Sequence, residues 1–572
     1  MSFFKSPAGK KAILPVVLLL VVGVNYLASI WHTRIDLTAE KRFTLSAPTK
    51  KMLRQLEDEV QVSILLKGEF PSAFKKLAGA AEEVLQEFKE VAGKKITYRF
   101  VQPDDELDDV NTTYADTVTA LGIDPINLKV QLKAGEQQQF VFPAALVQYK
   151  GQTTAVNLYS GNKVFISPKE LNSAEAMMEY RFADAISRLA QPVKPLVAYS
   201  IGNGEPAGYN TYDMVQNVLQ KDYQLFTFNL NTQPAIPDTF NLLLIVKPSK
   251  PFTEEALLKI DQYVMHGGKV LMFIDKLEAE MDSLQIKNEV IAYDRGLGLN
   301  DLLFRYGVRI NSDLVMDLQC DLLPFDVNGN GQFEWLQWNY FPLFQSPGNH
   351  LINKNLGLVA GKFVNSIDTV EAEGITKTVL LHSSASSRQI ATPALISGKE
   401  NVVAPEHEAF QKKHIPVAVL LEGKFTSLYR NRLSQAMKDS IESSGGSFLA
   451  SALADNKMII AADGDIVLNG ASKEGPIPMG INPFAYGTPK EFPFANREFL
   501  QNCMEYLVNR GGLIEAKNKD YTLRLLDVKK VDAQRSLWQV LNIALPAGLI
   551  IVFALLYQWL RKRKYAGKNT VV

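Results

Sequence analysis

Cysteine is almost missing from this chain of 572 residues: Cys320 and Cys503 are the two present, and no CxxC pair occurs. Two thiols cannot build a disulfide framework, and without a CxxC pair zinc or redox work of that kind is excluded. Net charge is missing too. Sixty-one Lys and Arg balance 61 Asp and Glu, which argues against nucleic acid as a partner, since its binders show a basic excess or stripe. There is no GxxxxGK[ST], no HExxH and no GxSxG, so the chain has no P-loop to cradle phosphates, no zincin helix and no nucleophile elbow. A mean hydropathy of −0.04 rules out a many-span transporter. Charged residues at 21% and apolar residues at 47% describe ordinary globular matter, excluding disorder and collagen-like repeats. At roughly 150 residues per domain, the length predicts about three or four folded units.

Against that background two apolar runs stand out. Residues 12–33 and 536–560 carry no charge, and each can cross a hydrocarbon core, which needs about 20 helical residues. Trp31 and Trp538 flank one end of the two spans, Tyr557 and Trp559 the far end of the second, as interfacial aromatics do. Pro15 and Pro546 are tolerated in membrane helices. The first run is longer than a signal-peptide core and lacks a small-x-small cleavage site, which favours a retained anchor. Tail 1–11 carries Lys5, Lys10 and Lys11 and no acid, and tail 561–572 carries Arg561, Lys562, Arg563, Lys564 and Lys568. Basic residues also follow the first span, but the positive-inside rule counts short loops and exempts long translocated domains. Both tails are therefore expected in the cytoplasm, with residues 34–535 periplasmic, hung from the inner membrane at both ends.

Within that body, residues 34–191 read as an N-terminal α/β domain. Strand 60–66, helix 72–91, strand 96–101, helix 114–121, strands at 128–132 and 144–158, and a long helix 170–189 follow from apolar periodicity and glycine stops. The order suggests a thioredoxin-like unit without the redox cysteines. Residues 192–465 read as a second α/β domain: strand 196–201, the turn 202–206, helix 212–220, strands 224–229 and 242–246, helix 253–266 and strand 269–274. Alternating strands and helices imply a parallel, doubly wound sheet. Residues 417–421 and 458–461 read as late strands of the same sheet, and 319–365 as a β or irregular insertion. Residues 466–535 form a C-terminal helical segment, with a helix at 494–509, and a membrane-proximal stalk.

Four sets of residues invite a chemical reading. Gly202, Asn203, Gly204 and Glu205 occupy a strand-to-helix turn at the carboxyl edge of the sheet, the usual ligand position in such folds; the competing reading is a tight turn needing glycine for positive φ, with Glu205 favoured at a helix N-terminus. Asp326, Asn328 and Asn330, with Glu334 at the ninth position, match the start of a calcium loop. Position twelve is Gln337 rather than a bidentate Glu, and a Gly/Asn hairpin explains the stretch as well. His407 and His414 beside Glu406 and Glu408 fall short of the three or four converging ligands of a zinc site. Ala544 and Gly548 share one face of the second span and would let another membrane helix approach closely, although small residues are common there by chance. No metal or other cofactor follows from these residues.

Several stretches resemble one family. They are RIDLTAEKRFTLS after the first span, VAYSIGNGEP, IDQYVMHGGKVLMFID, WNYFPLFQSPGNHLINKNL, AADGDIVLN, FANREFLQNCMEYL and the closing span with its RKRKY tail. In that order they are similar to the gliding-motility-associated auxiliary (substrate-binding-like) subunits of ABC transporters in Bacteroidetes, the GldG family. Asn203 stands where that family often has His in a GHGE turn, which removes a titratable group. The resemblance implies a partner permease with many spans, a separate cytoplasmic ATPase, and a link to surface motility. It also implies a flavodoxin-like, class I amidotransferase-like second unit. Active amidotransferases carry a nucleophilic Cys in the turn after the strand that follows Gly-Gly. Here that strand ends Phe273-Ile274-Asp275-Lys276, with no thiol beside a base, as covalent catalysis requires. The expectation is a non-catalytic, membrane-anchored auxiliary subunit. The alternatives are a tethered amidotransferase-like hydrolase and a tethered solute-binding receptor.

Overall fold

The computed structural model describes residues 44–518 and 528–565, together with single positions between 19 and 36. Within them 69, 108–109, 133–134, 160–167, 192, 328–329, 349, 399, 401–406, 436–437, 439–440, 442–446 and 509–510 are not described. Contacts divide the chain into two units, residues 1–520 and 521–572.

The first unit opens with α1 (Ala47–Gln55), whose N-cap Ser46 accepts the Thr49 N–H. Next come β1 (Val60–Ile64), α2 (Ser72–Ala92), β2 (Ile96–Phe100) and α3 (Tyr114–Ala120). They lead into β3 (Ala144–Tyr149), β4 (Gln152–Asn157), α4 (Pro168–Ala176) and α5 (Met178–Ala190). The strands form a sheet in the order β2-β1-β3-β4, parallel between β1 and β2 and antiparallel elsewhere. Phe74, Leu77, Ala81, Leu85 and Phe88 recur at helical spacing along α2 and are all fully buried against this sheet, which is why this stretch is a helix and why it faces inward. The single helix expected over 170–189 is two, broken at Met177 (φ −84°, ψ −4°); no residue there is a helix breaker.

The second lobe of the same unit is built on seven strands. They are β5 (Leu196–Ile201), β6 (Gln224–Asn229), β7 (Leu242–Val246), β8 (Lys269–Phe273), β9 (Ile375–His382), β10 (Pro416–Gly423) and β11 (Asn456–Ala461). The order is β6-β5-β7-β8-β11-β10-β9. The first five run parallel, while β10 is antiparallel to both its neighbours. The expectation of a parallel sheet therefore holds for five strands, with a two-strand antiparallel edge added. A parallel neighbour needs a long crossover, usually a helix. Between β9 and β10 the described residues make short 3-10 turns and two strands, Ser387–Ala391 and Ala394–Ser397, that pair within the insertion, with no long crossover helix, and β10 returns antiparallel to β9.

Strand β7 is Leu-Leu-Leu-Ile-Val, buried on both faces, the continuous apolar run that a covered parallel strand requires. Helix α6 (Glu254–Met265), capped by Thr253, covers one face with Ala256, Ile260 and Val264. Helix α7 (Asn496–Val508) covers the other with Phe499, Leu500, Cys503 and Leu507. The helix expected over 212–220 is a π-helix, Asp213–Leu219. Between β8 and β11 sits a largely β insertion, with strand Cys320–Phe325 paired to Glu334–Phe344 and a separate core around the fully buried Trp338.

Two sets of contacts tie the lobes together. Arg188 on α5 pairs with Asp184 at 2.5 Å and with Asp222 of the second lobe at 2.6 Å. Tyr180 on α5 donates to Glu505 of α7, while Lys517, 2% exposed, lies 3.9 Å from the Tyr180 ring centroid and donates to Asn502. The Ser46 N–H donates to Glu179 of α5 at 2.7 Å, Leu513 joins the core of the first lobe, and a Cβ added at Gly512 would lie 3.6 Å from Pro48 of α1.

The second unit contains α8 (Val528–Tyr565), with Pro546 inside it. Its segment Gln534–Arg563 is long and apolar enough to cross a membrane. It contains the span expected at 536–560. Of the span expected at 12–33, Leu19, Val21–Gly23 and Asn25 are helical and the remainder lies outside the described residues.

Candidate functional site

Four charged residues follow the carboxyl ends of parallel strands in the second sheet: Lys247 after β7, Asp275 after β8, and Asp463 and Asp465 after β11. In doubly wound folds this edge is where ligands bind. Here the side chains converge on one another. Lys247 Nζ lies 2.8 Å from Asp465, 3.2 Å from Asp275 and 3.0 Å from Glu280. Arg295 closes the far side of Glu280 at 2.6 Å. Asp463 is fully buried and accepts the N–H groups of Asp465 at 2.7 Å and Lys362 at 2.8 Å. Asp275 accepts the Gly464 N–H. A Cβ at Gly464 would stand 2.5 Å from Lys247 Cβ, so only glycine lets the β11 turn pass behind the lysine. Lys247 itself sits at φ +43°, a left-handed backbone costing a non-glycine residue about 1–3 kcal/mol.

The charges are unequal in fate. Burial, together with Asp465 and Glu280 nearby and against the pull of Lys247, pushes Asp275 up to about 6. Burial and the neighbouring Asp275 and Asp465 carry Asp463 well above the ordinary carboxylate range. Burial works to raise Asp465 as well, but Lys247 and Lys362 outweigh it and hold it below its ordinary value. Burial opposes the Lys247 ammonium, yet Asp465, Asp275 and Glu280 more than offset it, so its pKa is raised. One carboxylate oxygen from each aspartate lies within 4.8 Å of the others, a spacing that suits a divalent cation. The lysine ammonium stands among them and supplies that positive charge itself.

The glycine turn lies on the same edge, at the end of β5. Gly202 and Gly204 have φ +112° and +78°. The Asn203 N–H donates to Glu205 at 2.7 Å, and the other Glu205 oxygen accepts from Ser200 at 2.7 Å. The Asn203 carbonyl accepts the N–H groups of Ser249 and Lys250, and its side chain donates to Pro251 O at 2.8 Å. The loop after β7 thus packs into the turn, and Glu205 is spent inside it.

The remaining candidates do not join this site. Asp326 accepts the N–H groups of Asn330 and Gly331, both at 3.1 Å, and caps the hairpin that leads to Glu334. Asn328 lies outside the described residues. His414 faces His382, with Nδ1 atoms 3.3 Å apart, rather than His407. Cys320 and Cys503 are both free and buried. Burial pushes the Cys320 thiol up to about 12 and raises that of Cys503 well above its usual value, so neither is a ready nucleophile. Ala544 and Gly548 lie one turn apart on α8, with open space at Gly548. The ion cluster was missed in the sequence because each member reads alone as a solvated charge. The available signal was positional: each follows a parallel strand by one to four residues.

Two family models match the chain. The ABC-type uncharacterized transport system model matches residues 194–503, and a domain of unknown function (DUF7088) matches residues 39–148. An uncharacterized protein of Borreliella burgdorferi is 19% identical over 561 residues, covering 94% of this chain and 95% of that one. Among solved structures, the mmIFT52 N-terminal domain is 11% identical, covers 55% of this chain and 96% of its own, and has a TM-score of 0.30. A lobe with a parallel, helix-covered sheet and a self-neutralised edge defines a mixed α/β body joined to an apolar helix. The chain belongs to the ABC-type uncharacterized transport system auxiliary family, whose members are accessory components of ABC transport systems.

Proposed function

We propose that this chain is a two-pass, membrane-anchored accessory subunit of an ABC transport complex, with residues 34–535 held outside the cytoplasmic membrane as a non-catalytic scaffold and binding body. The permease and the ATPase are separate chains. The observation that carries this reading is the family match over residues 194–503. The order 2-1-3-4-5 of the five parallel strands favours a flavodoxin-like second domain, and the β2-β1-β3-β4 order a thioredoxin-like first one. Against catalysis, the position that follows β8 and Ile274 is Asp275, tied to Lys247 and Gly464. The ordered motifs that resemble the GldG family favour a gliding-associated system.

Tagged full-length chain solubilised from its native membranes should co-purify with a multi-span permease and an ATPase. Recovery of the chain alone would sink the reading. Gly548→Leu should loosen that complex and spare insertion, because the span only gains apolar bulk on the Ala544 face. In intact spheroplasts, a cysteine placed at Gly331 should label and one at Gly567 should not; the reverse pattern overturns the topology.

A further inference from the structure

We infer that His382 and His414 form a binding site for a divalent transition ion of the zinc and copper class, held by the two Nδ1 atoms and the Ser383 carbonyl oxygen, with water in the remaining positions. The site shares no residue with the ion cluster around Lys247, and it does not depend on assembly with a permease.

His382 ends β9 and His414 lies just before β10. The antiparallel register, which pairs His382 with Pro416, brings the two rings together. Their centroids are 4.7 Å apart with the planes at 85°, and the Nδ1 atoms are 3.3 Å apart. Two nitrogens bound at about 2.0–2.1 Å to one tetrahedral ion stand about 3.3–3.4 Å from each other, so the rings already have the spacing that a shared ion sets. The Ser383 carbonyl oxygen lies 2.7 Å from His382 Nδ1. A carbonyl cannot donate, so His382 Nδ1 carries the proton and His414 Nδ1 is the acceptor in their contact. The lone pairs of His414 Nδ1 and Ser383 O are thus gathered about one proton. An ion in its place engages both, and His382 Nδ1 as well once that ring carries its proton on Nε2. The ring changes tautomer, and no net proton is released.

The main chain holds both rings in place. His382 exchanges two backbone hydrogen bonds with Gln345, each 3.0 Å. The His414 N–H donates to Ser384 O at 2.9 Å, and the Ile415 N–H to Ser383 Oγ at 2.9 Å. His414 sits at φ +52°, a left-handed backbone that persists in a non-glycine residue where the surroundings enforce it, and that collects at ligand sites. The local charge favours a cation. Asp317, wholly buried at the end of strand Asp313–Asp317, accepts the Ser384 N–H at 2.6 Å and its hydroxyl at 2.5 Å. Burial raises the Asp317 pKa, the Ser384 bonds oppose it, and His382 is close enough to pull it down as well, so that carboxylate also attracts an ion on His382. Lys412 turns away to Gln389. Imidazole suits zinc, copper and nickel, whereas calcium and magnesium take oxygen ligands. His414 is exposed and His382 half-buried, which leaves the open positions of the ion to water. The competing reading is a hydrogen-bonded pair that pins the corner between the strands and takes no ion.

The test titrates the detergent-solubilised full chain, free of any polyhistidine tag and stripped with a chelator, with Cu²⁺ and with Zn²⁺. A single equivalent should bind, copper more tightly than zinc, and Ca²⁺ should not compete. The electron paramagnetic resonance spectrum of the Cu²⁺ form should show two imidazole nitrogens. His414→Asn keeps a residue that tolerates left-handed backbone. It and His382→Gln should each weaken binding by at least about tenfold, since losing even an outer partner of a metal ligand costs about 10–100-fold. His407→Gln should leave the affinity unchanged. Summed tryptophan emission checks that the variants fold. Absence of a single-equivalent site, a Cu²⁺ spectrum without paired nitrogens, unchanged binding by either folded variant, or a loss in His407→Gln equal to that in His414→Asn overturns the inference.

Discussion

Lys247→Met should lower the unfolding free energy of the body by about 3–5 kcal/mol, the cost of removing one partner from a buried ion cluster. Methionine keeps the volume of the lysine stem, so the loss is one of charge rather than packing. Asp465, Asp275 and Glu280 would face one another without the ammonium that lies 2.8–3.2 Å from each. Arg295 still reaches Glu280 and Lys362 and Arg295 still act on Asp465, but among the described residues no other lysine or arginine forms an ion pair with Asp275 or Asp465. Denaturant titration of the detergent-solubilised chain, followed by the summed tryptophan emission to which buried Trp338 contributes, reads the shift. The loss should shrink in mild acid, where Asp275 takes up a proton and one of the stranded charges disappears. A midpoint equal to that of the parent would mean that the cluster is neutralised some other way.

How much of this was legible in the sequence depends on distance along the chain. Local signals succeeded: the five apolar positions of α2, the Thr253 cap of α6 and the Leu-Leu-Leu-Ile-Val run of β7 each state their structure within a few residues. Strands β10 and β11 were placed in the right sheet because buried strands are short, apolar and β-branched. The direction of β10 was not legible, since apolar content is the same for either polarity. Strand β9 carries only a short buried run and was not recognised. The ion cluster is non-local. Asp275 and Gly464 are 189 residues apart, and only the register of β8 beside β11 brings them together. The two histidines behave alike. His407 and His414 look paired by spacing, but the chain reversal between β9 and β10 brings His382 to His414 instead.

The pH dependence of stability should run against the usual acid sensitivity of globular proteins. Asp275 ordinarily titrates near 3.8 and is raised to about 6 in the folded body, so between those values the folded state holds more proton than the unfolded one. Stability then falls as pH rises through that window and is flat above it, by about 3 kcal/mol for this residue at 1.36 kcal/mol per pKa unit. Asp463, raised further, continues the decline to higher pH. Asp261, Asp317, Asp321, Glu498 and Glu505 are also raised, chiefly by burial, and add in the same direction. Asp465 is lowered by Lys247 and works the other way, but its contribution is lost only below its unfolded value. The body should therefore be more resistant to denaturant at pH 5 than at pH 8. Asp275→Asn keeps the size of the side chain and cannot titrate. Its diagnostic effect is on the slope: the fall between pH 4 and pH 6 should flatten by the share that Asp275 supplied. A slope that survives this substitution unchanged would assign the proton uptake to other buried carboxylates and remove Asp275 from the account.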